Sequence, residues 1–304
     1  MLTVGNYHYI RNEYRTKFPS IFGVTPTSFR KQLILLKEKG DFISINDLNS
    51  DFNSILSDKE NYHMITFDDG LMEQYKFGLE IMDELKIEGY FFVNSLNFEK
   101  NIVSTVHKIH LLRSLVNPSK LLKKFLFDLG RKLSNQEQKR ASEIYRFDKI
   151  VDAQLKYTLN FLFLLEEKEK SINNLFENYF DEEETLNELY MSKNQLINLS
   201  EKGFLGNHSY SHYPLGLINE SNLSFEINQS KKYLEDLTKN QINAISYPYG
   251  TEESFSGNVL REVKNSGHIF GFTTLKGKNT INDDLLTLKR FDCNDLIGGK
   301  NYES

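Results

Sequence analysis

Apolar residues recur with two periods in this chain, and the two alternate along its length. Leu2–Ile10 reads as a strand. Next, Phe29, Leu33 and Leu36 recur at helical spacing, with Thr25-Pro26 as cap and first helical residue and Gly40 as the stop. Phe42–Ile45 reads as a short strand, and Tyr62–Phe67 as another that ends in Asp68-Asp69-Gly70. Leu71–Leu85 reads as a helix and Tyr90–Val93 as the following strand. Strands separated by helices predict parallel βαβ units, hence an α/β sheet or barrel.

The rhythm lapses between residues 101 and 189. Ser119–Leu129, Asn135–Tyr145 and Ala153–Phe176 all read as helices, so this stretch is expected to be a mostly helical insertion into a barrel made of residues 1–100 and 190–304. The βα alternation then resumes. Lys193–Lys202 reads as a helix closed by Gly203, followed by a strand ending near Gly206-Asn207. A helix over Ser221–Leu237 and strands over Ile242–Tyr247 and Ile269–Thr274 complete the pattern.

Composition narrows the function classes. Hydrophobic residues are 39% of the 304 and charged residues 26%, values of a soluble globular protein. With 37 basic against 42 acidic residues the chain has a net charge of -5, and no overall basic surplus points to nucleic acid. No apolar run is long enough for a transmembrane segment. The N-terminal residues lack a charged segment followed by an apolar one, and a single cysteine, Cys293, rules out an intrachain disulfide. The expectation is a cytoplasmic protein.

Three short motifs carry the chemistry. Asp68 and Asp69 fall where a strand gives way to a helix, the end of a parallel sheet where ligands collect. One carboxylate there could bind a cation while its neighbour acts as a base; the plain alternative is an N-cap beside a second acidic residue. His208 and His212 have i, i+4 spacing, which would bring two imidazoles onto one face of a helical turn as a metal clamp. The plain alternative is two surface histidines. The turn Pro248-Tyr249-Gly250 closes a third strand and could aim a backbone N–H into a site, or be an ordinary β-turn.

Together, Thr66-Phe-Asp-Asp-Gly70, His208-Ser-x-x-His212 and Pro248-Tyr249-Gly250 resemble the polysaccharide deacetylase family, the NodB-like fold or carbohydrate esterase family 4. The resemblance covers residues 1–100 and 190–295. It implies an incomplete, distorted (β/α)7-type barrel and a metal-dependent hydrolase that removes an N-acyl group, N-acetyl first, from a sugar. It implies that Asp69, His208 and His212 hold one divalent metal, zinc first, with cobalt, nickel, iron or manganese as alternatives. Asp68 would be the base that activates a metal-bound water, and the N–H of Tyr249 would help stabilise the oxyanion. With no export signal visible, the expected substrate is a nucleotide-linked or lipid-linked glycan precursor. Other outcomes are a deformylase or another amide or imide hydrolase on the same fold, or a catalytically inactive sugar-binding member.

The chain departs from the family pattern in ways that generate further expectations. Ser246 stands where the family has an Arg that pairs with the catalytic Asp, and Arg290 is the candidate replacement. There is no Trp for an aromatic pocket wall. The late Leu-x-His that supplies the general acid is missing. Tyr7-His8-Tyr9 resembles the opening of circularly permuted members, which makes His8 the candidate acid, or else a strand histidine with one face buried. His63 is expected lower in the barrel, His107 and His110 in surface or interhelical places, and His268 as a charged residue at a helix end.

Overall fold

The computed structural model describes residues 1–19, 23–57, 60–146 and 148–302. The chain divides into two compact units, one of Met1–Glu13, Phe22–Ile102 and Leu186–Ser304 and the other of Tyr14–Ile21 and Val103–Thr185.

The first unit is built on a parallel sheet. Its strands are β1 (Leu2–Tyr7), β2 (Asp41–Phe42), β3 (Tyr62–Phe67), β4 (Gly89–Val93), β5 (Leu205–Asn207), β6 (Ala244–Ser246), β7 (Phe270–Phe272) and β8 (Phe291–Asp292). The spatial order is β7-β6-β5-β4-β3-β1-β8, with β2 added at the start of β3. A bridge from Phe272 to Leu288 ties β7 to the segment leading into β8, so the sheet curls into the expected incomplete barrel. Parallel strands covered on both faces must be apolar throughout, and β1 and β4 are buried at every residue.

Helices fill the connections. Pro26–Lys37 starts where the Thr25 side chain accepts a hydrogen bond from the Ser28 N–H, and it buries Phe29, Leu33 and Leu36. A helix over Ile45–Ser57 escapes a propensity reading because it is rich in Asn, Ser and Asp; the buried Ile45, Leu48, Phe52 and Leu56 anchor it. The region read as one helix over Leu71–Leu85 contains a π-helical stretch, Gln74–Leu79, followed by an α-helix, Glu80–Leu85.

The second unit is helical: Thr105–Leu115, Pro118–Asp128, Asn135–Ile144, Ile150–Tyr157 and Leu165–Phe176 surround a core that includes Leu112, Leu121, Phe125, Leu155 and Ile172. The single helix expected over Ala153–Phe176 is broken. A π-helical turn, Thr158–Leu162, ends in extended backbone at Phe163 and Leu164 before the next helix begins. Among the described residues no helix is long and apolar enough to cross a membrane.

Candidate active site

Every motif residue lies at or just beyond the carboxyl end of a strand: His8 after β1, Asp68 and Asp69 after β3, His208 and His212 after β5, Tyr249 after β6. Arg290 arrives from the other direction, one residue before β8. The parallel register gathers these loops, since β1, β3, β4 and β5 are consecutive neighbours in the sheet.

Asp69, His208 and His212 converge. His212 Nε2 lies 3.3 Å and His208 Nε2 3.6 Å from the same atom, Asp69 Oδ1. All three residues are buried, and their potential ligand atoms lie within 4.8 Å of one another. The tautomer of His208 follows from its surroundings. Its Nδ1 is 2.7 Å from the Ser246 carbonyl, which can only accept, so Nδ1 carries the proton. Nε2 therefore turns a lone pair toward the Asp69 carboxylate. Burial pushes the His208 pKa down to about 4, which keeps the ring neutral near pH 7. A lone pair facing a carboxylate oxygen in a buried site is repulsive until a cation lies between them, and two imidazoles with one carboxylate are a donor set suited to a divalent metal.

The clamp does not have the helical form that its i, i+4 spacing suggests. Residues 208–212 form an irregular loop, with Ser209 at φ +62° and His212 at φ +64°. Distant groups hold it. The His208 N–H donates to the Val93 carbonyl (2.9 Å) and the Leu96 N–H to the Tyr210 carbonyl (3.0 Å), while the Asn94 amide donates to the His208 carbonyl. The Ser211 N–H donates to buried Glu226 (2.9 Å), and the Ser230 hydroxyl donates to the Ser209 carbonyl (2.9 Å).

Asp68 sits in a separate polar nest. Arg290 grips it with both terminal nitrogens, Nη1 to Oδ1 at 2.9 Å and Nη2 to Oδ2 at 2.8 Å, and Asn6 Nδ2 donates to Oδ2 at 3.2 Å. Arg290 is itself 1% exposed and fully engaged. It donates to the Thr273 carbonyl, Asn6 Oδ1, Thr66 Oγ1 and Ser246 Oγ, at 2.7–3.1 Å. Ser246, where the family has its Arg, is thus a contact of Arg290. Burial works against ionising Asp68, but the Arg290 guanidinium, aided by His208 and His8, holds the carboxyl well below the usual carboxylate range. Asn6 was not singled out from the sequence, and Thr66 only as the first residue of its motif. The one available signal for Asn6 was an amide within the otherwise apolar run Leu-Thr-Val-Gly-Asn-Tyr.

His8 reaches the same nest from the mouth. Its side chain is 41% exposed, and its Nε2 stands 3.9 Å from Asp68 Oδ2. The buried Gln74 amide donates to both the His8 and Asp68 carbonyls, which fixes the spacing of the two loops. Tyr249 is half-exposed with φ +64°, and its ring meets the His212 ring edge-on at 5.2 Å. Gly250 follows at φ +58°, where an added Cβ would fall 2.4 Å from the Thr274 nitrogen, so only glycine fits the turn.

Residues 147–271 match the family described as polysaccharide deacetylase; this span holds His208, His212 and the Pro248-Tyr249-Gly250 turn and begins inside the helical segment. That segment of the chain is similar to the polysaccharide deacetylases. The chain's fold is similar to that of the Streptococcus pyogenes deacetylase PplD in complex with acetate, with a TM-score of 0.58 and 16% identity over 96% of this chain and 91% of that one. It is similar also to IcaB from Ammonifex degensii (TM-score 0.57, 16% identity, 95% and 90% coverage) and to the BpsB deacetylase domain from Bordetella bronchiseptica (0.56, 14%, 96% and 95%). No curated protein sequence matches the chain.

The remaining histidines lie outside the cluster. His63 is buried at the start of β3, and His107 is buried in the helix Thr105–Leu115 with its ring 5.9 Å from that of His110. His268 is not a charged helix end. Burial pushes its pKa down to about 3, and its ring nitrogens lie near Ser266 Oγ (2.7 Å) and Asn207 Nδ2 (3.2 Å).

Proposed function

We propose that the chain hydrolyses an N-acyl group, N-acetyl first, on a sugar or glycan precursor, with one divalent metal, zinc first, held by Asp69, His208 and His212. The observation that carries this reading is the placing of an ionised, arginine-clamped Asp68 beside a buried two-histidine, one-carboxylate set. A metal bound there would polarise the acyl oxygen and acidify water.

The chain's own groups divide the remaining work. A carboxylate offers about four lone-pair sites, and those of Asp68 Oδ2 are taken by Arg290 and Asn6. Oδ1 receives only Arg290 Nη1, so Oδ1 is the atom free to take a proton from water. Arg290 orients Asp68 and keeps it ionised, which removes the main argument for an inactive member. The Tyr249 N–H supports the developing oxyanion. His8 donates to the leaving nitrogen, which departs poorly without a proton. Nucleotide-linked and lipid-linked N-acetylated sugars are the substrates to be tested first.

The test is mass spectrometry of such sugars after incubation with the metal-loaded chain, beside elemental analysis of wild type and His212→Ala. Loss of an acetyl group by wild type only, with about one equivalent less metal in the variant, is the expected result. Equal metal in both proteins, or no deacylation of any N-acylated sugar, overturns the reading.

A further inference from the structure

Among the described residues the largest exposed apolar surface of a single side chain belongs to Phe127, which is 80% exposed. It lies in the helix Pro118–Asp128, whose Leu121 and Phe125 face the helical unit's core. The adjoining stripe, Leu122, Leu126 and Phe127, lines an open groove of about 780 Å3 rimmed by Lys123, Arg131 and Lys132. Gly130 builds the rim. At φ +63°, with nothing within 4 Å of where a Cβ would be, it reverses the chain through bonds from its own N–H to the Phe127 carbonyl and from the Arg131 N–H to the Leu126 carbonyl.

The charge around this groove opposes that of the whole molecule. Residues 118–132 contain five basic side chains and one acidic, Asp128, in a chain of net charge -5. Asp128 is engaged by Lys124. Arg131 pairs with Glu137, while Lys123 and Lys132 make no ion pair among the described residues. An exposed aromatic ring on an apolar stripe with free ammonium groups beside it matches the headgroup boundary of an anionic bilayer: the ring enters the acyl edge and the cations meet lipid phosphates. A second copy of the chain fits less well, since a symmetric contact would oppose the same cations to each other.

We propose that this face of the helical unit docks the chain on an anionic lipid bilayer, with Phe127 as the inserted side chain. Each basic residue near such a surface strengthens partitioning roughly fivefold, and the attraction is screened by salt.

The chain has no tryptophan, so Phe127→Trp installs a single fluorescent reporter at the point of insertion. It is titrated with vesicles of phosphatidylcholine alone and with vesicles containing roughly one-third phosphatidylglycerol. A blue shift is expected with the anionic vesicles only, reversed by about 0.5 M salt. Adding Lys123→Glu and Lys132→Glu to the reporter should weaken partitioning by about 25-fold or more. Cosedimentation of wild type against Phe127→Ser, with circular dichroism to verify folding, gives an independent reading. No shift with anionic vesicles, an equal shift with neutral ones, or cosedimentation unaffected by Phe127→Ser overturns the proposal. A shift that grows with protein concentration in the absence of lipid also overturns it and assigns the face to self-association.

Discussion

The barrel unit and the helical unit differ in where their backbones leave ordinary geometry. Seven non-glycine residues among those described have positive φ, and all belong to the barrel unit. Four of them, Asp69, Ser209, His212 and Tyr249, are in the loops that form the candidate site. Among the described residues of the helical unit the one positive φ is at Gly130, where it costs nothing sterically. Strained side-chain-bearing residues persist only where surrounding bonds over-determine them, and the barrel supplies those bonds through buried Asn94, Gln74, Glu226 and Arg290. The helical unit has surface pairs such as Lys124–Asp128 and Arg131–Glu137, and its buried Lys108 reaches Asn173 and Glu182. Among the described residues, the positive-φ side-chain-bearing positions, and with them the candidate chemistry, are confined to the barrel unit.

The sharpest way to break this contrast is to remove function from the barrel without touching its frame. Asp68→Asn is nearly isosteric but cannot take a proton; it should retain metal and lose about 10²–10⁴-fold in kcat. Kinetics together with elemental analysis will check this, and activity within a few-fold of wild type would exclude Asp68 as the base.

Next in size is Arg290→Met. It leaves a buried carboxylate without its cation and should destabilise the barrel unit by about 3–5 kcal/mol in denaturant unfolding. The same pair has a pH signature. The folded-state pKa of Asp68 is depressed, so its contribution to stability is present above the unfolded value of about 3.9 and is lost as pH falls below it. The stability gap between wild type and Asp68→Asn should therefore be flat from neutral pH to about 5 and shrink on further acidification. A flat gap down to pH 2 or so would mean that Asp68 carries no such shift.

In the helical unit, Leu155→Ala opens a cavity in the core and should cost about 2–5 kcal/mol. Proteolysis should then cut first within residues 103–185. Cleavage first within the barrel unit would show that the two units do not melt separately. The smallest effect is expected for Ser134→Ala. Ser134 and Glu137 form a reciprocal capping box for the helix Asn135–Ile144, and its loss should cost about 1 kcal/mol in thermal unfolding.

What could be read from the sequence follows the same division. Tyr62–Phe67 was legible as a strand because its apolar run is bounded by turn-forming residues. The Arg290–Asp68 pairing was anticipated only through the family resemblance, whose Arg is Ser246 in this chain, so that another cation was sought. The helical break at Phe163–Leu164 was not legible, since nothing in local propensity marks it. The conformation of His208–His212 was hidden for a different reason. Its spacing suits a helix, but its shape is imposed by Val93, Asn94 and Leu96, more than a hundred residues earlier in the chain. Gln74 was missed because an amide has no signature until its partners are known, and the amide of Asn6 within its strand marked a position but not a partner.

The origin of the Asp68 counter-charge has a consequence for how the molecule comes into being. Arg290 and Asp68 are 222 residues apart in the chain. At roughly 5–20 residues per second, a ribosome needs on the order of 10–40 s to travel that distance. During that interval the nascent strand β3 has its carboxylate but no guanidinium, and burying it would strand an uncompensated charge. Both aspartates and both histidines of the site emerge before the segment carrying Arg290. The buried pair can therefore form only after nearly the whole chain has been made.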